Sequence, residues 1–244
     1  MLPRKNRRTY LNTNLRAVLC LLAVLILVQG CRYPRDPNQT LAHIQGGVMH
    51  VGVIENTPWV IKGSSGARGL EPELIRSLAE SLDAEIRWYW GGESELITAL
   101  QEYELDLVIG GLVKGAPLRQ VVAFTKPYLK TEITVGAPTG EALPAKLNGQ
   151  TVAVKRTATL KGALEEKGAK PVLVEDLSQA EGLVAAPRWW LQAHSFEAGH
   201  WSLHQYQHVM TVPPGENAWL LKLQRYLNGQ RGLKERLIHW ETDK

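Results

Sequence analysis

An unbroken apolar run, Ala17 to Val28, ends just before Cys31 and divides the chain into two unequal parts. Ahead of it lie Arg4, Lys5, Arg7, Arg8 and Arg16, and no acidic residue occurs before Asp36. A cationic start, a 12-residue apolar stretch and the small Gly30 make the pattern of a secretory signal peptide. The run is shorter than the ~20 residues that span hydrocarbon, which sets it apart from an uncleaved anchor. The consequence for folding is direct. The only cysteines are Cys20 and Cys31. Cys20 leaves with the signal, so the folded part has no internal disulfide and depends on its own core.

Removing residues 1–30 leaves 214 of 244 residues, enough for a sizeable core or two small lobes. The signal carries five of the 28 Lys and Arg residues and no acid, so 23 cations face 24 anions in the remainder. The formal +4 belongs to the targeting segment, and the charge balance implies no nucleic-acid partner. All eight Trp lie beyond residue 30, against two Phe in the whole chain.

Residues 31–45, with Pro34, Pro37 and Asn38, show no periodicity and read as a tether. Beyond it the pattern changes. Met49–Ile54 is a β-type run. Leu70, Leu74, Leu78 and Leu82 recur every four residues with Ile75 and Ala79, which predicts an amphipathic helix over 70–83. Glu85–Trp90 alternates and is aromatic, hence a strand, with Trp88 and Trp90 on one face as core residues. Acidic Glu93 and Glu95 open a second helix through Leu96, Ile97 and Leu100. Asp106–Ile109 is a buried strand ending at Gly110-Gly111. Strands at 151–154, 171–174, 182–186 and 208–212 follow, with helices at 158–167, 216–228 and 231–240. Strands alternating with helices mean an α/β fold with a largely parallel sheet. A polar, turn-rich stretch from Pro138 to Gly149 marks an internal boundary.

Two resemblances add to this reading. Val28, Gly30 and Cys31 resemble the lipobox of bacterial lipoproteins. That implies cleavage before Cys31, a lipid on its thiol and an extracytoplasmic protein held on a membrane, since each buried CH2 contributes about 0.8 kcal/mol. Arg7-Arg8 also resembles a twin-arginine signal, so the export route stays open, as does the choice of inner or outer membrane. The ordered set Val51-Gly52-Val53, Pro58-Trp59, Gly69-Leu70-Glu71-Pro72-Glu73-Leu74, Asp106–Gly111, Phe124–Tyr128, Leu147–Val154 and Val212–Glu216 resembles family 3 of the bacterial extracytoplasmic solute-binding proteins. The likeness covers roughly residues 46–240. It implies a two-lobed, periplasmic-binding-protein-like fold of type II, with two crossover strands as hinge. Lobe I would be 46–134 plus 213–244 and lobe II 135–212. It further implies a monomeric receptor for a small polar or anionic solute, with an ABC permease or a sensor as partner and neither a cofactor nor a metal.

The resemblance places the ligand between the lobes, where the C-terminal ends of open α/β strands meet helix N-termini. On lobe I the implied residues are Glu55, Asn56, Trp59, Gly110 and Gly111. Glu73 fills the family's acidic position after the glycine and also suits a helix N-terminus. The family's carboxylate-clamping Arg falls by strict count on Leu118, so Arg119, one residue late, is either a cleft residue or a solvated one. On lobe II the candidates are Thr157, Arg188 and one of Trp189 and Trp190. The segment Gly182–Trp190 contains no acid to hold a ligand ammonium, so Arg188 could face an anion there. Thr157 and Thr159 could equally be helix caps.

Three other classes remain in view. His200, His204 and His208 are spaced as metal ligands on a helix face, though no acid or cysteine completes a set. A dehydratase would need Glu55 or Glu73 as general acid. The third is a scaffold or sensor that has lost its small ligand.

Overall fold

The computed structural model describes residues 35–64, 66–115, 121–157 and 159–243. Cys31, and with it the lipid reading, lies outside the described residues. The first sheet has five strands in the order β4-β1-β5-β13-β6. Here β1 is Val48–Val53, β4 Glu85–Trp90, β5 Leu107–Ile109, β6 Ala123–Phe124 and β13 Thr211–Val212. Strands β4, β1 and β5 are parallel, and β13 is antiparallel to β5. The second sheet has six strands, with β11-β7-β10-β8-β9 in line and β12 also on β7. Its strands are β7 (Leu129–Pro138), β8 (Thr151–Lys155), β9 (Lys170–Val174), β10 (Val184–Pro187), β11 (Phe196–Ala198) and β12 (His204–His208). A small hairpin, β2 (Ile61–Gly63) and β3 (Gly66–Arg68), stands apart.

Each sheet buries both faces. Met49, Val51 and Val53 of β1 alternate inward. They meet Leu70, Leu74, Ile75 and Leu78 of α2 (Leu70–Glu80) and Trp219, Leu223 and Leu227 of α6 (Asn217–Asn228). The opposite face packs Val108 on Leu96, Ile97 and Leu100 of α3 (Glu93–Gln101). In the second sheet Val152, Val154 and Ala185 face Leu160 and Leu164, the latter on α4 (Lys161–Glu165). The smaller Ala153 and Ala186 face Leu191 of α5 (Arg188–Ala193). Helix α7 (Leu233–Thr242) closes the chain against the first core through Leu233 and Leu237.

Two strands carry the chain between the lobes. Leu129 of β7 belongs to the first core and Ile133 to the second. Strand β12 returns antiparallel to it, pairing His204 with Ile133 and His208 with Leu129. Thr211 and Val212, read from sequence with lobe II, pair with β5 and β6 of the first sheet.

The tether reading of 31–45 is corrected over its second half. Thr40–Ile44 is a helix, α1, and Ile44 is fully buried in the first core. The cause is reciprocal capping across the chain. Asp36 accepts from the N–H groups of Ala218 (2.7 Å) and Trp219 (3.2 Å) at the start of α6, and from Leu41 N–H (3.1 Å). Buried Glu216 accepts from Asn38 N–H (2.9 Å) and Thr40 N–H (3.1 Å) at the start of α1. Each carboxylate satisfies donors that a helix start leaves unpaired.

Candidate ligand-binding cleft

The lobe I wall begins at Gly69. Its φ of +111° suits glycine, and a Cβ there would stand 2.6 Å from the Trp59 carbonyl oxygen. Close approach lets Leu70 N–H donate to the Pro58 carbonyl (3.2 Å) and Glu71 N–H to that of Trp59 (3.1 Å). The first turn of α2 is thereby stitched to the Trp59 segment. Glu71, fully buried, then accepts from Gly110 N–H (2.7 Å), Gly111 N–H (3.0 Å) and the Tyr128 hydroxyl. Burial raises the Glu71 carboxyl, while the three donors pull it back down. Tyr128 is pushed well above its ordinary value by burial and by the Glu71 charge.

Gly111 has φ +70°, and a Cβ on it would lie 2.6 Å from the Trp59 ring. Trp59, 4% exposed, packs there and stacks on His208 with centroids 3.9 Å apart. His208 lies within 3.2 Å of the Gly111 carbonyl through Nδ1 and 2.9 Å from Thr131 Oγ1 through Nε2. A neutral ring fits both partners, donating at Nδ1 and accepting at Nε2. Burial accordingly lowers its pKa to about 4. Asn56 donates through Nδ2 to the Gly110 carbonyl (2.9 Å), and Glu55 beside it is exposed.

Lobe II is built differently. Arg188 opens α5 and donates from Nε to Glu132 of β7 (2.6 Å) and from Nη2 to the Gly199 carbonyl (2.9 Å). The Ser202 hydroxyl and then Arg188 hold the Glu132 carboxyl below its usual range. Trp189 packs on the first-lobe core, whereas Trp190 joins the second-lobe cluster and stacks on His194 at 4.1 Å. The His194 Nε2 lies 2.9 Å from Glu241 Oε1 on α7, so α5 docks on the last helix of the other lobe. Thr157 is exposed in the turn before α4. That helix starts at Lys161 after Leu160, with no side-chain cap, so neither Thr157 nor Thr159 caps it.

Two concavities flank the crossover ribbon. One, of about 210 Å³, is lined by Lys130, Thr131, Glu132, Gln205, Arg188, Trp189 and Lys234. Three cations there face one carboxylate. The other is an open groove of about 470 Å³ between Val113–Gly115 and His204–Gln207. Val113 bridges to His208 and Lys114 N–H donates to the Gln207 carbonyl (2.8 Å), which ties the groove's two banks together.

The structure thus gathers Asn56, Trp59, Gly110 and Gly111 into one wall and Arg188 and Trp189 into another, while Arg119 lies outside the described residues. Glu73 points away from the cleft: it accepts from Trp240 Nε1–H (2.8 Å) and pairs with Arg236 (3.0 Å). The cleft carboxylate is Glu71, two positions earlier and so on the other side of the helix. His204 and His208 both lie on strand β12, so the helix-face spacing does not form, and His208 serves the Trp59 stack. The sequence reading missed Glu71, Tyr128 and Glu132, and gave His208 only as a metal-ligand candidate. A count of helical angle from Glu73 would have singled out Glu71; no local signal marks the others.

A model of the bacterial extracellular solute-binding proteins, family 3, matches residues 49–231. The chain is 34% identical over 95 residues to the membrane-bound lytic murein transglycosylase F of Vibrio campbellii, covering 38% of this chain and 18% of that protein. It is 28% identical over 128 residues to a probable histidine-binding protein of Campylobacter jejuni, covering 51% and 48%. The matches therefore span about half or less of these curated relatives. Among solved structures, an ancestral cationic amino acid solute-binding protein is similar with a TM-score of 0.68 and 20% identity, over 82% of this chain and 98% of that one.

Proposed function

Since the chain belongs to the bacterial extracellular solute-binding proteins, family 3, we propose that it is a lipid-anchored, extracytoplasmic receptor for a small anionic, amino-acid-like solute, supplying an ABC-type importer. The observation that carries the choice of an anion is the inter-lobe cavity. Lys130, Arg188 and Lys234 surround it with Glu132 as the single carboxylate, and Trp189 adds an aromatic wall. A guanidinium offers a carboxylate two parallel charge-assisted hydrogen bonds, and Arg188 already presents its Nε to one. Ligand binding between lobes joined by two strands would favour the closed arrangement, which a permease can read. Of the two carboxylates a dehydratase would need, Glu73 is occupied by Trp240 and Arg236, which leaves exposed Glu55 as the general acid that a catalytic reading requires.

A thermal-shift panel tests this reading. A ligand at 100 Kd adds about 2.7 kcal/mol to stability, a clear rise in melting temperature. Acidic amino acids or dicarboxylates should give that rise, and lysine and polyamines should not. The reverse order would contradict an anionic ligand.

A second reading is a sensor or scaffold without a small ligand. It is favoured by His208, which covers the Trp59 face, and by the α5–α7 docking, which ties the lobes together through protein groups. The partial likeness to membrane-bound murein transglycosylases adds an envelope partner to that reading. Silence across the whole panel would select it.

A further inference from the structure

Besides the two crossover strands, the lobes meet through a pair of helices. Helix α7 belongs to lobe I: Leu233 and Leu237 sit in the first core, Trp240 Nε1–H donates to Glu73 of α2 (2.8 Å), and Arg236 pairs with the same carboxylate (3.0 Å). Helix α5 belongs to lobe II: Leu191 packs with Ala153 and Ala186, and the Trp190 ring lies 5.8 Å from that of Phe196 on β11. The two helices pack along each other. Their first turns share one cavity, with Arg188 and Trp189 from α5 and Lys234 from α7. Their far ends are joined where His194 Nε2 lies 2.9 Å from Glu241 Oε1. Six residues separate Arg188 from His194, and seven separate Lys234 from Glu241. At ~1.5 Å per residue both rods run roughly 10 Å from cavity to bond, so they lie side by side and point the same way. The bond is well supported. The Glu241 side chain is 1% exposed and that of His194 30%. Trp190 stacks on the His194 ring at 4.1 Å and 21°, which fixes the ring that reaches across. Pulling the lobes apart takes this donor away from a buried acceptor, a loss that opposes opening.

We propose that His194 and Glu241 form a latch between the lobes, and that His194 is a positioning residue which sets how Arg188 stands against Lys234 across the cavity. The proposal rests on the receptor reading for what the cavity takes, and on the helix geometry alone for the latch. Both latch residues lie outside the cavity lining, so they act through their helices. The latched arrangement is the one in which the cations of both lobes surround a single space. Solute and latch therefore favour the same arrangement, and each strengthens the other by the same factor. When the latch opens, fewer molecules hold an assembled cavity, and the apparent Kd rises by that fraction. Occupancy is then passed to a membrane partner as the latched shape, in which the two lobes move as one.

The test measures the distance between lobes by pulsed dipolar electron paramagnetic resonance. Spin labels are placed at Ala42→Cys on α1 and at Val172→Cys on β9, where both side chains are exposed. The full chain carries Cys20→Ser and Cys31→Ser, so that only the two added thiols are labelled. This background should give one narrow distance. His194→Ala should broaden and shift it with helix content unchanged by circular dichroism. Glu241→Gln, which keeps the side chain's shape, should shift it the same way by less. His194→Gln, whose amide donates where Nε2 stood, should restore the narrow distance. Calorimetric titration with L-glutamate should show binding on the order of fivefold weaker in His194→Ala and recovered in His194→Gln. An unchanged distance in His194→Ala and Glu241→Gln would overturn the latch and leave the anionic reading standing. A shifted distance in protein whose background gives no heat with L-glutamate would overturn the anionic reading and leave the latch standing.

Discussion

In lobe I two polar groups behind the Trp59 wall, Glu71 and His208, are buried and saturated. Glu71 is occupied by three donors, and His208 is held between Thr131, Gly111 and the Trp59 ring. In lobe II the polar groups at the cavity are wet and adjustable: the Arg188 side chain is 40% exposed and Glu132 27%. The contrast separates two jobs. A saturated wall fixes backbone geometry and has little left to offer a solute. An exposed ion pair can exchange Glu132 for a ligand carboxylate at small cost, because such pairs contribute ~0–1 kcal/mol. On this account rigidity resides in lobe I and ligand choice in lobe II.

The largest effect should come from breaking the saturated wall. Glu71→Ala leaves Gly110 N–H, Gly111 N–H and the Tyr128 hydroxyl without their acceptor in a buried site. Unsatisfied buried groups cost about 1–3 kcal/mol each, so urea unfolding should show a loss on the order of 3 kcal/mol or more. A loss under about 1 kcal/mol would show that water replaces the carboxylate and that the wall is not dry.

Acid probes the same wall. Unfolded His208 takes its proton near pH 6.5, whereas the folded ring waits until about pH 4. Between those values the unfolded state binds more protons, so stability is full above pH 6.5 and falls as pH drops toward 4. The shift corresponds to roughly 3 kcal/mol. Glu71 works in the opposite sense. Its raised pKa means the charged form costs stability as pH rises through the folded value, so acidification offsets part of the His208 loss. Denaturant midpoints measured from pH 7 to pH 4 should fall in the wild type and flatten in His208→Phe, which keeps a ring on Trp59 but cannot be protonated. An equal slope in both would remove His208 from the account.

Arg188→Ala should sharpen the contrast by doing little. With an exposed pair, unfolding free energy should change by less than about 1 kcal/mol. A loss comparable to that of Glu71→Ala would mean that lobe II is as rigid as lobe I.

Much of the fold was legible in the sequence because its signals are local. The four-residue stripe of Leu70, Leu74 and Leu78 and the alternation of Glu85–Trp90 are written within single elements, and both form as expected. What escaped depends on contacts between distant residues. Pro37 and Asn38 read as a tether because nothing nearby shows that Asp36 and Glu216, about 180 residues apart, cap each other's helices. Likewise Arg188 reads as a cation awaiting an anion, since Glu132 reaches it only once β7 and β10 pair. His208 looks like one of a histidine series until β12 sets it opposite Leu129 and over Trp59.

The central claim is that the cavity cations, with Arg188 of lobe II foremost, select an anionic solute. Isothermal titration of wild type and Arg188→Ala with L-glutamate and with L-lysine tests it most directly. The account predicts heat with glutamate, none with lysine, and a glutamate affinity at least roughly tenfold weaker in Arg188→Ala, about 1.4 kcal/mol. Binding of lysine with glutamate silent, or glutamate binding unchanged in Arg188→Ala, would contradict it.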